Sequence, residues 1–263
     1  MTRAAVEAGD LALAYFRSGA TTSAAIESKH GGSPVTEADY AVDHFLRPRL
    51  ECLVAGSGWL SEETVDTDER LGRDLVFVVD PIDGTRAFIK GDPRWAISIA
   101  LVQASRPRVA VLHLPALGET YAAIAGAGAR LNEAPIAVSP QTTLTGGRIA
   151  GPPKHLEALR NAGLDFQPAP RVPSLAYRLA LVADGRLEAG LASTNSCDWD
   201  IAAADLLLQE AGGVLTGLDG AAPRYNAAVP RHPALTAAPR RLNAGLIEVL
   251  LQSSNDAKPQ SPA

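Results

Sequence analysis

Ala4, Ala5, Ala8, Leu11, Ala12 and Tyr15 recur every three or four positions, the period of one helix face. Ser18-Gly19 offers that helix a stop, because Gly suits the left-handed C-cap. A polar stretch over 27–34, Glu-Ser-Lys-His-Gly-Gly-Ser-Pro, predicts a mobile loop. Thr36, with Asp39 three residues on, then opens a second helix to about residue 53 with Thr36 as its N-cap. Trp59-Leu60 reads as a short strand. Over 75–79 the pattern changes to Leu-Val-Phe-Val-Val, unbroken and rich in β-branched residues, which predicts a strand buried on both faces. Segments 95–102, 108–114 and 120–124 read as further strands, with a turn at Gly126 and Gly128.

Beyond residue 139 helices and strands mix: a strand over 146–150, helices over 155–162 and 174–183, and a strand over 188–192. A strong helix over 201–210 stops at Gly212-Gly213, a strand returns over 214–216, and an amphipathic helix spans 242–251. The pattern predicts a mixed α+β or α/β chain in two halves, α+β over 1–138 and α/β over 139–252. Residues 253–263 are rich in Ser, Pro and Lys and predict a disordered tail. The sequence carries no internal repeat.

A length of 263 residues suits one large layered domain or two packed halves, and 46% hydrophobic with 20% charged residues is ordinary globular usage. Aromatics make up only 5% while Ala is abundant, so close, Ala-lined helix contacts are expected. A net charge of −5 lacks the basic footprint of a nucleic-acid binder and leaves small anions open as ligands. Cys52 and Cys197 lie far apart without metal-ligand spacing, which predicts two reduced thiols. Arg3, Glu7, Asp10 and Arg17 interrupt any signal-peptide core, and no apolar run reaches a membrane span, so a cytoplasmic protein is expected.

Asp80-Pro81-Ile82-Asp83-Gly84-Thr85 sets two carboxylates three residues apart at the end of the 75–79 strand. An apolar strand running into two acids is costly unless something pairs with them. With the Ile82 carbonyl, one turn can present three hard oxygen ligands of the kind Mg²⁺ takes. A helix starting at Gly84-Thr85 would add outward-facing amides suited to an anion. Glu62, in Ser61-Glu62-Glu63 after Trp59-Leu60, is a candidate shared carboxylate, although a Glu pair is by itself an ordinary surface feature. Asp200 precedes the 201–210 helix and either caps it or binds a cation. Asp39 lies in a first helical turn, where an acid also suits the macrodipole, and Lys29 lies in the polar loop, where the ordinary reading is a solvated side chain.

Four motifs in order, Ser33-Pro34-Val35-Thr36-Glu37-Ala38-Asp39, Leu60-Ser61-Glu62-Glu63, Asp80 to Thr85, and Trp199-Asp200-Ile201-Ala202-Ala203-Ala204-Asp205 followed by Glu210-Ala211-Gly212-Gly213, resemble the inositol monophosphatase superfamily of lithium-sensitive, Mg²⁺-dependent phosphatases. The resemblance covers roughly 1–225 and implies a layered αβαβα sandwich. It implies that Glu62, Asp80, Asp83, Asp200 and the Ile82 carbonyl hold two or three Mg²⁺ ions, with Mn²⁺ as a substitute and Li⁺ as an inhibitor. Asp39, Glu62 and Thr85 would form the catalytic set, with a water attacking phosphorus and Thr85, oriented by Asp39, helping to activate it. Gly84, Thr85, Ser193 and Asp200 would contact a small phosphorylated metabolite. Approach of Lys29 on loop closure and a homodimer also follow from the resemblance.

The animal-type inositol enzymes place a Glu seven residues before the Trp-Asp ligand, where this chain has Ser193. Asp83-Gly84-Thr85-Arg86-Ala87-Phe88-Ile89-Lys90-Gly91 is more similar to the bacterial 3′(2′),5′-bisphosphate nucleotidase branch. That activity is the leading expectation, ahead of an inositol-1-monophosphatase or a histidinol phosphatase. Outside the class, a non-catalytic phosphometabolite- or metal-binding protein predicts cation binding without phosphate release. A kinase would show a nucleotide cradle such as GxxxxGK[ST], and none occurs.

Overall fold

The computed structural model describes residues 1–29 and 32–256. Helix α1 (Thr2–Leu13) ends before the expected Ser18-Gly19. The Tyr15 carbonyl accepts the Thr22 hydroxyl (2.8 Å) and the Ser23 amide (3.0 Å), which turns the chain aside first. The two ends of the segment expected to be a mobile loop, 27–28 and 34, belong to a hairpin, β1 (Ile26–Ser28) antiparallel to β2 (Pro34–Thr36). The Lys29 amide bonds the Ser33 carbonyl at 2.9 Å, and positions 30 and 31 lie outside the described residues. Helix α2 (Glu37–Leu53) starts at Thr36 as expected.

Strand β3 (Gly58–Ser61) lies parallel to β4 (Leu75–Asp83). Strand β4 does not stop at 79. It keeps pairing with the strand over Ala96–Gln103 as far as Asp83, opposite Ala96, across an irregularity between Asp80 and Asp83. Pro81 has no amide to give, so the ladder is broken there without being ended. One short helix, α3 (Thr85–Ile89), leads into that strand, β5, and then into β6 (Arg106–Leu114), β7 (Glu119–Ile124), β8 (Ala129–Leu131) and β9 (Ala134–Pro135). Strands β3 to β9 form one seven-stranded sheet in chain order. The last two were not expected, being too short to show a period.

The second half runs β10 (Arg148–Ala150), α4 (Pro153–Asn161), β11 (Gln167–Pro168), α5 (Leu175–Ala183), β12 (Ala189–Ala192), α6 (Asp198–Glu210), β13 (Gly213–Gly217), β14 (Leu235–Pro239) and α7 (Arg240–Asp256). Its sheet has the order β11-β10-β12-β14-β13. Helix α7 continues past 253, where a disordered tail was expected to begin, and the rest of that expected tail, 257–263, lies outside the described residues.

Side-chain alternation along β4 separates the layers. Phe77 and Val79 join Ala5, Ala8, Val42 and Leu46 of α1 and α2 on one face. Val76 and Val78 join Ala180, Ala203 and Leu207 of α5 and α6 on the other, together with Leu215 and Ala237 of the second sheet. The far face of that sheet packs Ile149 and Leu191 against Leu159 of α4 and Leu246 of α7. The result is an αβαβα sandwich. Helix α6 lies between two sheets and buries Ala202, Ala203, Ala204, Leu206, Leu207 and Leu208. Its alanines let both sheets approach closely, as the composition led one to expect. Among the described residues no helix is long and apolar enough to cross a membrane.

The C-terminus of α6 is fastened to the β7–β8 turn, where the Gly126 and Gly128 amides each donate to the Glu210 carboxylate at 2.8 Å. Glu210→Ala is expected to cost about 1–2 kcal/mol, because water replaces only the more exposed of the two bonds. Urea unfolding at unchanged m-value measures it, and an unchanged midpoint would show that the clasp is not stabilising.

Candidate active site

Three elements deliver acids to one point. Strand β4 carries Asp80, buried, with the Ile82 amide donating to its Oδ1 at 3.0 Å. Glu62 follows β3, and its turn is held by α2, since Ser61 and Thr64 donate to the two oxygens of Asp43 at 2.5 and 2.7 Å. Asp200 lies in the first turn of α6. It is not the N-cap that its place in the sequence suggested: Cys197 is, and Asp200, three residues on, accepts the Cys197 amide at 2.6 Å. Ligand oxygens of Glu62, Asp80 and Asp200 lie within 4.8 Å of one another.

Such a cluster is electrostatically costly. Burial, then the charge of Glu62, holds the Asp80 carboxyl well above the usual carboxylate range. Burial, then the charge of Asp83, pushes Asp200 up to about 8. An all-oxygen set of closely spaced, half-buried to buried carboxylates fits a hard divalent cation, whose charge would offset the repulsion.

Asp39 and Thr85 meet beside this cluster. The Asp39 Oδ2 accepts the Thr36 amide (2.8 Å) and hydroxyl (2.6 Å) in a capping box, which fixes the carboxylate, while its Oδ1 accepts the Thr85 hydroxyl at 3.2 Å. Burial pushes the Asp39 carboxyl up to about 6 against the pull of the Thr36 bonds. The Thr85 hydroxyl also lies 3.1 Å from the Ile82 carbonyl. Gly84 turns the chain into α3 at φ 96°, a left-handed conformation that favours glycine.

Asp83 is not part of the converging triplet. Its carboxylate faces the start of α5, accepting the Ser174 hydroxyl (2.6 Å) and the Ala176 (2.7 Å) and Leu175 (3.2 Å) amides. Burial still lifts it to about 6 against those three bonds. Ser174 was legible only as a helix start. Its contact with Asp83 spans 91 residues of sequence and has no local signal.

Lys29, from the β1–β2 hairpin, bridges Glu62 (2.9 Å) and Glu63 (2.7 Å). Burial opposes its charge, yet the two carboxylates hold the ammonium above its ordinary value. The Glu63 side chain is only 2% exposed, and burial, against the Lys29 bond, pushes it up to about 7. Lys29 is therefore a partner of the site, and its ammonium stands where positive charge is needed.

A cleft of about 630 Å³ opens from Asp83 and Asp200 past Ser193, Ser196 and Arg178 to α4. Ser193 is exposed on its wall. Ser196 lines the cleft, and its buried hydroxyl has no hydrogen-bond partner. Arg178 is fixed by the Leu191 (2.9 Å) and Val172 (2.8 Å) carbonyls. Neither Ser196 nor Arg178 carries a local signal in the sequence. The N-terminus of α6 is braced from behind, where Asp198 takes His232 Nε2 and the Asn226 amide, both at 2.7 Å.

The sequence pattern of the inositol monophosphatase family matches residues 1–255. The chain belongs to that family. It is thereby a phosphoric monoester hydrolase, of a family that uses metal ions. It is 35% identical over 233 residues to a histidinol-phosphatase of Mycobacterium tuberculosis, covering 84% of this chain and 88% of that one. It is 32% identical over 231 residues to an inositol-1-monophosphatase of Mesorhizobium japonicum (84% and 85% covered), and 30% over 234 residues to the 3′(2′),5′-bisphosphate nucleotidase CysQ of Aggregatibacter actinomycetemcomitans (84% of each). The crystal structure of the extragenic suppressor protein suhB from Bartonella henselae superposes with a TM-score of 0.82 at 28% identity, covering 94% of this chain and 95% of that one. Three activities are thus named among relatives of similar distance, so kinship identifies the family and the reaction class, and leaves the substrate undetermined.

Proposed function

We propose that the chain is a Mg²⁺-dependent phosphatase of small phosphorylated metabolites, with a 3′(2′),5′-bisphosphate such as 3′-phosphoadenosine-5′-phosphate as its leading substrate. The convergence of Glu62, Asp80 and Asp200 within 4.8 Å carries the reading. Asp83 and the Ile82 carbonyl complete the ligand set for two or three ions, with Mn²⁺ able to substitute and Li⁺ inhibitory. When bound, such cations supply charge to the phosphoryl oxygens and the leaving oxygen and acidify the attacking water.

The chain's own residues orient that attack. Thr85 has one hydroxyl proton, and the charged Asp39 Oδ1 is a stronger acceptor than the Ile82 carbonyl. The proton directed to Asp39 leaves a lone pair on Thr85 Oγ1 to accept a hydrogen bond from the water, whose proton passes to Thr85 as Thr85 passes its own to the Asp39 carboxylate. The Gly84 and Thr85 backbone flanks the phosphate, while Ser193, Ser196 and Asp200 face the leaving group across the large cleft. Direct water attack is supported by the thiol nearest the acids: burial, then the charge of Asp200, pushes Cys197 up to about 12, too high for a thiolate nucleophile. Two free thiols, Cys52 exposed and Cys197 buried, suit a reducing cytoplasm.

Ser193 in place of a polyol-binding acid and the run Phe88-Ile89-Lys90 favour the nucleotidase. The histidinol-phosphatase relative, at 35% identity, favours a second reading. Phosphate release from 3′-phosphoadenosine-5′-phosphate, inositol-1-phosphate, histidinol phosphate and fructose-1,6-bisphosphate, with and without Mg²⁺ and Li⁺, separates them. The expected result is Mg²⁺-dependent, Li⁺-inhibited turnover with the highest kcat/KM on the adenosine bisphosphate. Turnover that persists in chelator would sink the mechanism.

A further inference from the structure

Beside the acid cluster lies a groove of about 640 Å³ whose walls carry Arg86, Lys90, Arg94 and Arg171. It is continuous with the reaction cleft, since Arg86, Arg171 and Pro173 also line the small cleft that contains Glu62, Gly84 and Thr85. Asp92 is the only carboxylate on its wall among the described residues, and Arg94 takes both of that carboxylate's oxygens, Nε to Oδ1 at 2.8 Å and Nη2 to Oδ2 at 2.5 Å. Arg86, Lys90 and Arg171 pair with no carboxylate among the described residues. Three uncompensated cations therefore face one concave space.

The walls hold them there. The Arg94 Nη1 donates to the Arg171 carbonyl at 2.7 Å and ties the two sides of the groove together. Under α3, Phe88 packs edge-on against Trp95 at 5.0 Å, and Phe16 closes the cluster at 5.7 and 5.6 Å from the two rings. Gly91, at φ +70°, lies so close to the Arg17 carbonyl that a Cβ would come within 2.2 Å, and its own carbonyl accepts the Gly19 amide at 2.9 Å. The backbone bearing Arg86 and Lys90 cannot drift away to relieve the repulsion, so the groove is organised before any anion arrives.

We propose that this groove receives a second, non-reacting phosphate of the substrate, so that Arg86, Lys90 and Arg171 select bisphosphorylated over singly phosphorylated metabolites. The inference rests on the phosphatase reading above and adds the residues that discriminate. A substrate with neutral hydroxyls gains nothing from three cations, and one carrying an ammonium and an imidazole is repelled by them. A second phosphate accepts charge-assisted hydrogen bonds from each.

The test compares 3′-phosphoadenosine-5′-phosphate with 3′-AMP, which lacks only the second phosphate, on the full-length chain with Mg²⁺. Wild type is expected to favour the bisphosphate in kcat/KM by about tenfold or more. That preference should shrink as salt rises to about 0.5 M. Lys90→Glu, whose side chain lines the groove and neither of the other two clefts, should erase the preference by raising KM for the bisphosphate more than for the monophosphate. Arg171→Ala should shift the ratio in the same direction. Equal specificity for the two esters in wild type, or a Lys90→Glu variant that weakens both alike, overturns the groove assignment and leaves the phosphatase reading standing. Absence of metal-dependent turnover on every ester overturns that reading and the groove with it.

Discussion

Asp80→Asn is expected to lower kcat by on the order of 10²–10³ while raising the thermal midpoint of the metal-free protein. Asp80 is 1% exposed and its Oδ1 accepts only the Ile82 amide, a bond that the Asn carbonyl oxygen can keep. The substitution therefore deletes charge with little change in shape. In the metal-free chain that charge is a liability, because Glu62, Asp83, Asp200 and Asp39 all repel it inside a low-dielectric pocket. Removing it should add about 1 kcal/mol. On the proposed reading the same charge is needed for catalysis, because Asp80 would help to hold the cation. Steady-state kinetics in Mg²⁺ and a thermal scan in EDTA read the two halves, and near-normal turnover or a lower midpoint in EDTA would refute the assignment. Asp83 is a poorer place for this test, since its oxygens also accept three hydrogen bonds from the start of α5.

The metal-free protein should lose stability as pH rises from about 4 to 8, by on the order of a few kcal/mol, and a saturating divalent cation should flatten or reverse that slope. Six carboxyls have folded pKa values above their ordinary ones, Asp39, Asp83 and Asp205 at about 6, Glu63 at about 7, Asp200 at about 8 and Asp80 well above the usual range, in each case with burial as the largest cause. A carboxyl raised in the folded state keeps its proton there after the unfolded chain has lost it. Between the two values the folded state binds more protons, so the stability of unfolding falls with rising pH. The loss is absent below about 4 and is still growing at 8, where Asp200 is in mid-titration. A cation that requires the ionised carboxylates works in the opposite sense. Urea midpoints at pH 5 and 8, with EDTA and then with Mg²⁺, measure it, and a metal-free chain more stable at pH 8 would contradict the raised pKa values.

Both predictions depend on features of unequal legibility. Thr36 as the cap of α2, the apolar strand ending in Asp80 and the Ala-rich α6 could be read from the chain because each is encoded within a few residues: a capping pair, a β-branched run, a period of 3.6. Family motifs in order extended that reading to Glu62 and Asp200. The run through Pro81 to Asp83 reads as a turn because a missing amide interrupts a ladder locally, while only the pairing of Asp83 with Ala96 shows that the strand continues. Of the two roles the sequence leaves open for Asp200, the N-cap falls to Cys197, since a capping box and an N-cap have nearly the same local composition.

By itself, then, the sequence determined the periodic elements, the family and the set of acids available for metal binding, all of which depend on short-range pattern or ordered motifs. Tertiary structure alone decided that Glu62, Asp80 and Asp200 converge while Asp83 also clasps α5, that Lys29 bridges Glu62 and Glu63, and that Arg86, Lys90 and Arg171 share a groove whose one carboxylate among the described residues, Asp92, is taken by Arg94. Those arrangements join residues tens to more than a hundred positions apart. Their spacing is set by how two sheets pack across α5 and α6, and nothing in the local chain records that distance.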